Sequence, residues 1–183
     1  MKRRAFDHIA VIIGLLFSSS RALAAQSPVA APADVGSIAD IVRVSYEVFS
    51  GPAGAPRQWR RDSTLYMPAA TFVSVDAPNG KVKVTIMTPD EYRRTNNAEF
   101  VKNGIFETEI GRRIERYSNV AEVRSVTVAR TTPKGPIDGR WVNYFHLYWD
   151  GSRWWIAGMV WDRERPGHLI PKEWAGHWEV ISR

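Results

Sequence analysis

The sequence predicts an α+β domain in which two helices, two strands, a third helix and three or four long antiparallel strands follow one another. Three observations carry this. Apolar residues fall close to one helical stripe between Ile38 and Phe49. A full helix-start signature stands at Thr88-Pro89-Asp90-Glu91. Alternating and β-branched runs fill the last third of the chain, folded about an Asp150-Gly151 turn, a strong hairpin dipeptide.

The first 24 residues stand apart. Lys2, Arg3 and Arg4 precede a short apolar run from Ile9 to Phe17, and Ala22-Leu23-Ala24 closes it. A positive start, an apolar stretch and an A-x-A site make a cleavable secretory signal. The run is about half the roughly 20 residues a membrane span needs, so no membrane anchor is expected. The chain should be periplasmic or secreted, beginning at or near Ala25. Residues 25–36, rich in Ala and Pro, read as a disordered leader. Residues 37–174 form one domain, and 175–183 a C-terminal tail.

Within the domain, Ser37 and Asp40 have capping-box spacing, with Asp in place of Glu. They open the first helix, which Gly51-Pro52 stops. A loop rich in Gly and Pro leads to a second short helix at about 57–66. Thr71 to Val75 and Lys81 to Met87 read as strands joined by turn residues at 76–80. The Thr88 helix runs to about Lys102 and ends at Asn103-Gly104. Strands follow at 105–118, 120–131 and 140–161, with an irregular tail from Arg165.

Composition excludes several classes. The net charge of +6 loses four cations (Lys2, Arg3, Arg4, Arg21) and one acid (Asp7) with the signal, leaving +3. Those charges interleave with acids, which argues against a nucleic-acid partner. There is no cysteine and no H-x-H or H-E-x-x-H spacing, so no metal site is expected. No Walker-type, G-x-G-x-x-G or G-x-S-x-G motif occurs, and no cofactor is implied. The charged strand at 105–118, with Glu107, Glu109, Arg112, Arg113, Glu115 and Arg116, reads as a solvent-facing strand.

Three stretches carry a family resemblance: Tyr46-Glu47-Val48-Phe49-Ser50-Gly51-Pro52-Ala53-Gly54, Glu109-Ile110-Gly111-Arg112-Arg113-Ile114-Glu115-Arg116-Tyr117-Ser118-Asn119-Val120-Ala121, and Asp150-Gly151-Ser152-Arg153-Trp154-Trp155-Ile156. With the order of elements, they resemble the nuclear transport factor 2-like superfamily, in particular its secreted bacterial SnoaL-like members. The resemblance covers about Ile38 to Trp174. It implies a cone-shaped roll, a strongly bent, antiparallel-rich sheet wrapped around three helices with a pocket at the wide end. Scaffolds of this kind serve as isomerases, dehydratases, hydrolases, adaptors and ligand binders, so fold alone assigns no reaction. Many members pair sheet to sheet as dimers.

The chain also departs from the family. The acidic pair of many enzymatic members is missing at Tyr66-Met67-Pro68-Ala69-Ala70, and Arg57-Gln58-Trp59-Arg60 replaces an Arg-Asp-Trp-Asp pattern. Ketosteroid-isomerising members use a tyrosine of the first helix as an oxyanion donor, and Tyr46 lies in that helix. In the strand where several relatives carry a histidine, this chain has Glu122. Tyr46, Glu122 and His146 are therefore the candidates for acid–base chemistry, with Arg124 a partner for Glu122.

Strand parity sorts the hairpin. Asn143, Phe145, Leu147, Trp154, Ile156, Gly158 and Val160 share the more apolar face, expected under the helices. Tyr144, His146, Tyr148, Trp155, Met159 and Trp161 share the other. Tyr46, Trp59, Tyr66, Asn143, Phe145 and Trp154 are the expected ligand contacts. Tyr144, Tyr148, Trp155 and Trp161 are the expected dimer face, which the tail with Trp174 and Trp178 is the alternative to cover. Two functional readings stand together: a binder of a small, largely apolar molecule, and an acid–base isomerase, lyase or hydrolase acting on one. A protein-interaction module without ligand is the third. A carboxylate or histidine facing the interior beside a tyrosine would discriminate them.

Overall fold

The computed structural model describes residues 28–176 and the backbone of 178–182; the expected signal and the start of the expected leader lie outside the described residues. Four helices, α1 (Pro32–Val35), α2 (Ile38–Glu47), α3 (Trp59–Asp62) and α4 (Pro89–Asn103), pack against one seven-stranded sheet. Its strands are β1 (Tyr66–Asp76), β2 (Lys83–Met87), β3 (Phe106–Tyr117), β4 (Val120–Arg130), β5 (Gly139–Trp149), β6 (Trp154–Arg163) and β7 (Trp178–Ser182), in the order β2-β1-β6-β5-β4-β3-β7. β1 meets β6, and β3 meets β7, in parallel; the other neighbours are antiparallel. This is the expected α+β class, a curled, open sheet folded over its helices.

The helices begin where their caps dictate. Ser37 accepts from the Asp40 amide at 3.0 Å. Thr88 accepts from the Glu91 amide at 3.2 Å while the Glu91 carboxylate accepts from the Thr88 amide at 2.8 Å, completing the box. α2 buries Ile38, Ile41, Val42, Val44 and Tyr46. These meet Phe145, Leu147, Trp154 and Ile156 from the hairpin and Phe72 from β1 in the main core. The loop after α2 ties the two long helices together. Gly54 donates to the Val101 carbonyl at 2.7 Å, and the buried Arg57 guanidinium donates to the Phe100 carbonyl, a cation placed at a helix C-terminus.

Five expectations are corrected. The leader is ordered from its Pro32 turn: Asp34 and Val35 are buried, and Arg61 grips Asp34 through two bonds of 2.7 Å. The second helix is one turn, because the chain enters β1 already at Tyr66. The tail continues the domain. It crosses Gly111, where a Cβ would collide with the Trp174 carbonyl, lays Trp174 under the Arg124 guanidinium at 3.9 Å, and adds β7 beside β3.

The fourth correction concerns β3, which is not uniformly solvent-facing. Glu107, Glu109 and Arg112 turn inward, paired in register with Ala129, Thr127 and Ser125. Among the expected solvated charges only Arg113, Glu115 and Arg116 keep that role, with Glu115 and Arg116 exposed. The fifth concerns the hairpin. His146 pairs with Gly158, but Leu147 pairs with Ile156, so Ala157 is an extra residue in β6. One inserted residue reverses the faces beyond it. Met159 and Trp161 pair with the inward Phe145 and Asn143, while Gly158 and Val160 pair with the outward His146 and Tyr144.

Candidate functional site

A cavity of about 320 Å³ opens between β1, β2 and α4. Thr85 and Thr95 are exposed at its mouth, with Ser74 and Asn96 beside them. The walls are aromatic. Phe72, Tyr92 and Trp161 meet pairwise edge to face, with ring centroids 5.5–5.9 Å apart, and Phe49 stacks on Phe100 at 5.6 Å. Met87, Met159 and Trp141 complete the apolar lining. An α4 turn sets Tyr92, Thr95 and Asn96 on the face that looks at the sheet, which is why the Thr88 cap matters to the cavity.

Polar groups sit among these rings. Glu107 reaches the lining from β3. Its carboxylate accepts from the Thr127 hydroxyl at 2.6 Å, and the Asn143 amide, 3.2 Å from that hydroxyl, supports it from β5. Burial outweighs these bonds and pushes the Glu107 carboxyl up to about 7. The same carboxylate, after burial itself, helps raise the pKa of Tyr92. Among the described residues the Tyr92 hydroxyl has no hydrogen-bond partner in the protein.

Tyr46 is also at the wall, but its proton is committed. Its hydroxyl donates to Ser125 Oγ at 2.8 Å, and Ser125 in turn donates to Glu109 at 2.6 Å. Glu109 is paired with Arg112. Burial holds the Tyr46 hydroxyl well above its ordinary value. A tyrosine locked in such a chain is a wall of the site and has no spare proton for an oxyanion. On the other side, Tyr66 donates to Asp62 at 3.2 Å, and Asp62, raised by burial, is held by Arg93.

The expected residues therefore divide. Tyr46, Tyr66 and Asn143 line the cavity. Phe145 and Trp154 are buried in the core instead, Phe145 edge-on to Tyr46 at 5.9 Å and Trp154 tilted against Trp149 at 5.8 Å under the Arg116 guanidinium. Trp59 packs outside the cavity, donating to Asn97 at 2.6 Å. Glu122 and His146 face away from the helices, with side chains 53% and 55% exposed and 3.8 Å apart; neither reaches the cavity. Arg124, expected beside Glu122, stacks on Trp174. Sequence reasoning missed Glu107 and Trp161. Alternation with Glu109 was a signal for the first; nothing in the sequence marks the Ala157 bulge that moves the second.

No family model and no curated protein matches the sequence. The structure is similar to solved ones. A protein from Silicibacter pomeroyi shares 9% identity over 70% of this chain and 94% of its own, with a TM-score of 0.49. One from Methylobacillus flagellatus shares 16% over 70% and 95%, at 0.46. One from Shewanella baltica shares 12% over 68% and 86%, at 0.44. All three are nuclear transport factor 2-like proteins of unknown function. The likeness concerns the course of the chain only. Among the described residues no helix is long and apolar enough to cross a membrane, and no cluster of metal-ligating side chains occurs.

Proposed function

We propose that this chain is an exported domain that binds a small, largely apolar molecule in the α4–sheet cavity. The observation that carries the reading is a largely aromatic chamber of about 320 Å³ with Glu107, Asn143 and Tyr92 among its polar lining. Small-ligand sites have this build, apolar walls with a few convergent polar groups. Titration with a small aromatic probe should change the fluorescence of Trp141 and Trp161, and Trp161→Ala should weaken binding. A probe that binds wild type and Trp161→Ala equally places the site elsewhere. Native mass spectrometry of protein taken from its own cell envelope would show what travels with it, and N-terminal sequencing should find a start near Ala25.

One observation favours the second reading, acid–base catalysis. A carboxyl that titrates near neutrality is suited to give and take protons, and Glu107 is such a group. Catalysis would make Glu107, not Glu122 or His146, the acid–base residue. Glu107→Gln would then abolish turnover of the recovered ligand while retaining its binding.

A homodimer through the outer sheet face is the proposed assembly. Tyr144 (36% exposed), Tyr117 and Val120 lie exposed there, with Tyr148 and Trp155 half-buried. Trp161 is withdrawn from that face, and Trp155 is partly occupied, donating to Asp150 at 2.6 Å under the Arg153 guanidinium.

A further inference from the structure

Four acids of the interior invite comparison. Asp34 is gripped by Arg61, Asp62 by Arg93 and Glu109 by Arg112. Glu107 is the exception: among the described residues it has neutral partners only, Thr127 and Asn143. Burying a carboxylate without a cation is costly, and proteins ordinarily supply one. Three of these four sites do so. The fourth opens on a ligand-sized cavity.

The walls of that cavity complement the missing charge. Ring faces attract cations, and indoles do so best. Trp141, Trp161, Tyr92 and Phe72 surround the space that Glu107 faces. The groups around Glu107 are neutral or already engaged: Tyr46 from α2, with Arg43 there paired to Asp40 and Glu47, Tyr92 from α4, Thr127 from β4 and Asn143 from β5. Along β3, Glu109 and Arg112 neutralise each other. Among the described residues no cation is hydrogen-bonded to the Glu107 carboxylate.

We infer that the ligand of this cavity is a lipophilic amine, whose ammonium group meets Glu107 while its hydrocarbon or aryl body lies among Phe72, Tyr92, Trp141 and Trp161. This rests on the binding reading above and adds the chemical class. No bond is made or broken in it. Ionised Glu107 takes the ammonium directly. Protonated Glu107 releases its proton to solvent first.

The test is calorimetric titration of the full mature chain at pH 8 with three probes of equal size, 3-phenylpropylamine, 3-phenylpropan-1-ol and 3-phenylpropionate. The amine should bind wild type at least tenfold more tightly than the alcohol, and the carboxylate should bind least. Glu107→Gln should erase that preference, bringing the amine's affinity down to the alcohol's. An alkylammonium keeps its charge to about pH 10, so below the Glu107 value near 7 the amine's affinity should fall about tenfold per pH unit, and the alcohol's should not. Alcohol binding as tightly as amine overturns the inference and leaves the binding reading standing. A preference that survives in Glu107→Gln also overturns it, since the charge would be read elsewhere. If none of the three binds, the binding reading falls and the amine goes with it. The wild-type comparison of amine with alcohol decides the matter even if the variant fails to fold.

Discussion

Glu107 is the residue on which most of the chemistry turns, and its ionisation has a consequence for folding. Its carboxyl rises from 4.5 to about 7 in the folded chain. The folded state then binds a proton that the unfolded state has lost between those values. Stability contributed by the protonated form is full below pH 4.5 and drains away as pH rises through 7. The loss amounts to about 3 kcal/mol. Glu107→Gln, which cannot ionise, should be close to wild type at pH 4.5 and more stable by up to about 3 kcal/mol at pH 8, in urea unfolding at the two pH values. Equal pH profiles for the two proteins would show that the carboxyl is not buried as described. Trp154, by contrast, is a packing residue. Nearly inaccessible between Trp149 and Arg116, it should cost about 3–5 kcal/mol on truncation to Ala, with the cavity's probe affinity unchanged after correction for unfolded protein.

At the scale of elements, what the sequence makes legible is what local chemistry determines. Thr88-Pro89-Asp90-Glu91 satisfies its own backbone, so α4 starts where that pattern says, and the prediction is sharp. Thr88→Ala should lower stability by about 1 kcal/mol, read as a shift in the urea midpoint. It should loosen the helix that presents Tyr92 and Phe100. α3 and the leader were harder to read, because their order depends on distant partners: Asp34 is held by Arg61, 27 residues away, and Asp62 by Arg93, 31 away. A sequence window sees neither. β3 misled for a related reason. Its charges look solvent-facing one by one. Glu107 and Glu109 enter the interior where Thr127 and Ser125 on the next strand offer hydroxyl donors, and Arg112 pairs with Glu109.

For the molecule as a whole, the class and the order of elements were legible, and the site only in part. Tyr46 and Asn143 lie on elements whose inward faces could be read by period, whereas Tyr66, expected to end the second helix, opens β1. Phe145 and Trp154 were on the correct face but beneath the α2 contact, away from the cavity, and depth within a core has no local signature. The outer face gives a further expectation. In sedimentation at tens of micromolar the wild-type chain should be a dimer, and Tyr144→Arg combined with Val120→Arg should be a monomer of unchanged melting behaviour. A monomeric wild type would remove the interface, and a variant that still pairs would move it to another surface, such as the exposed Val84 and Ile86 of the β2 edge.

Ala157 contributes almost nothing through its methyl group, yet the position of Trp161 depends on its being there. Between Ile156 and Gly158 it is the surplus residue of the pairing with β5, and it sets which side of the sheet every later β6 side chain occupies. The position should tolerate changes of identity and reject changes of number. Ala157→Ser should leave probe binding and melting near wild type. Deletion of Ala157 should turn Trp161 outward, shift its emission to the red and abolish binding in the cavity, even in a chain that still folds. A β6 paired regularly through this residue would turn Val160, not Trp161, toward the cavity. At this point in the fold, specificity is inherited through chain length.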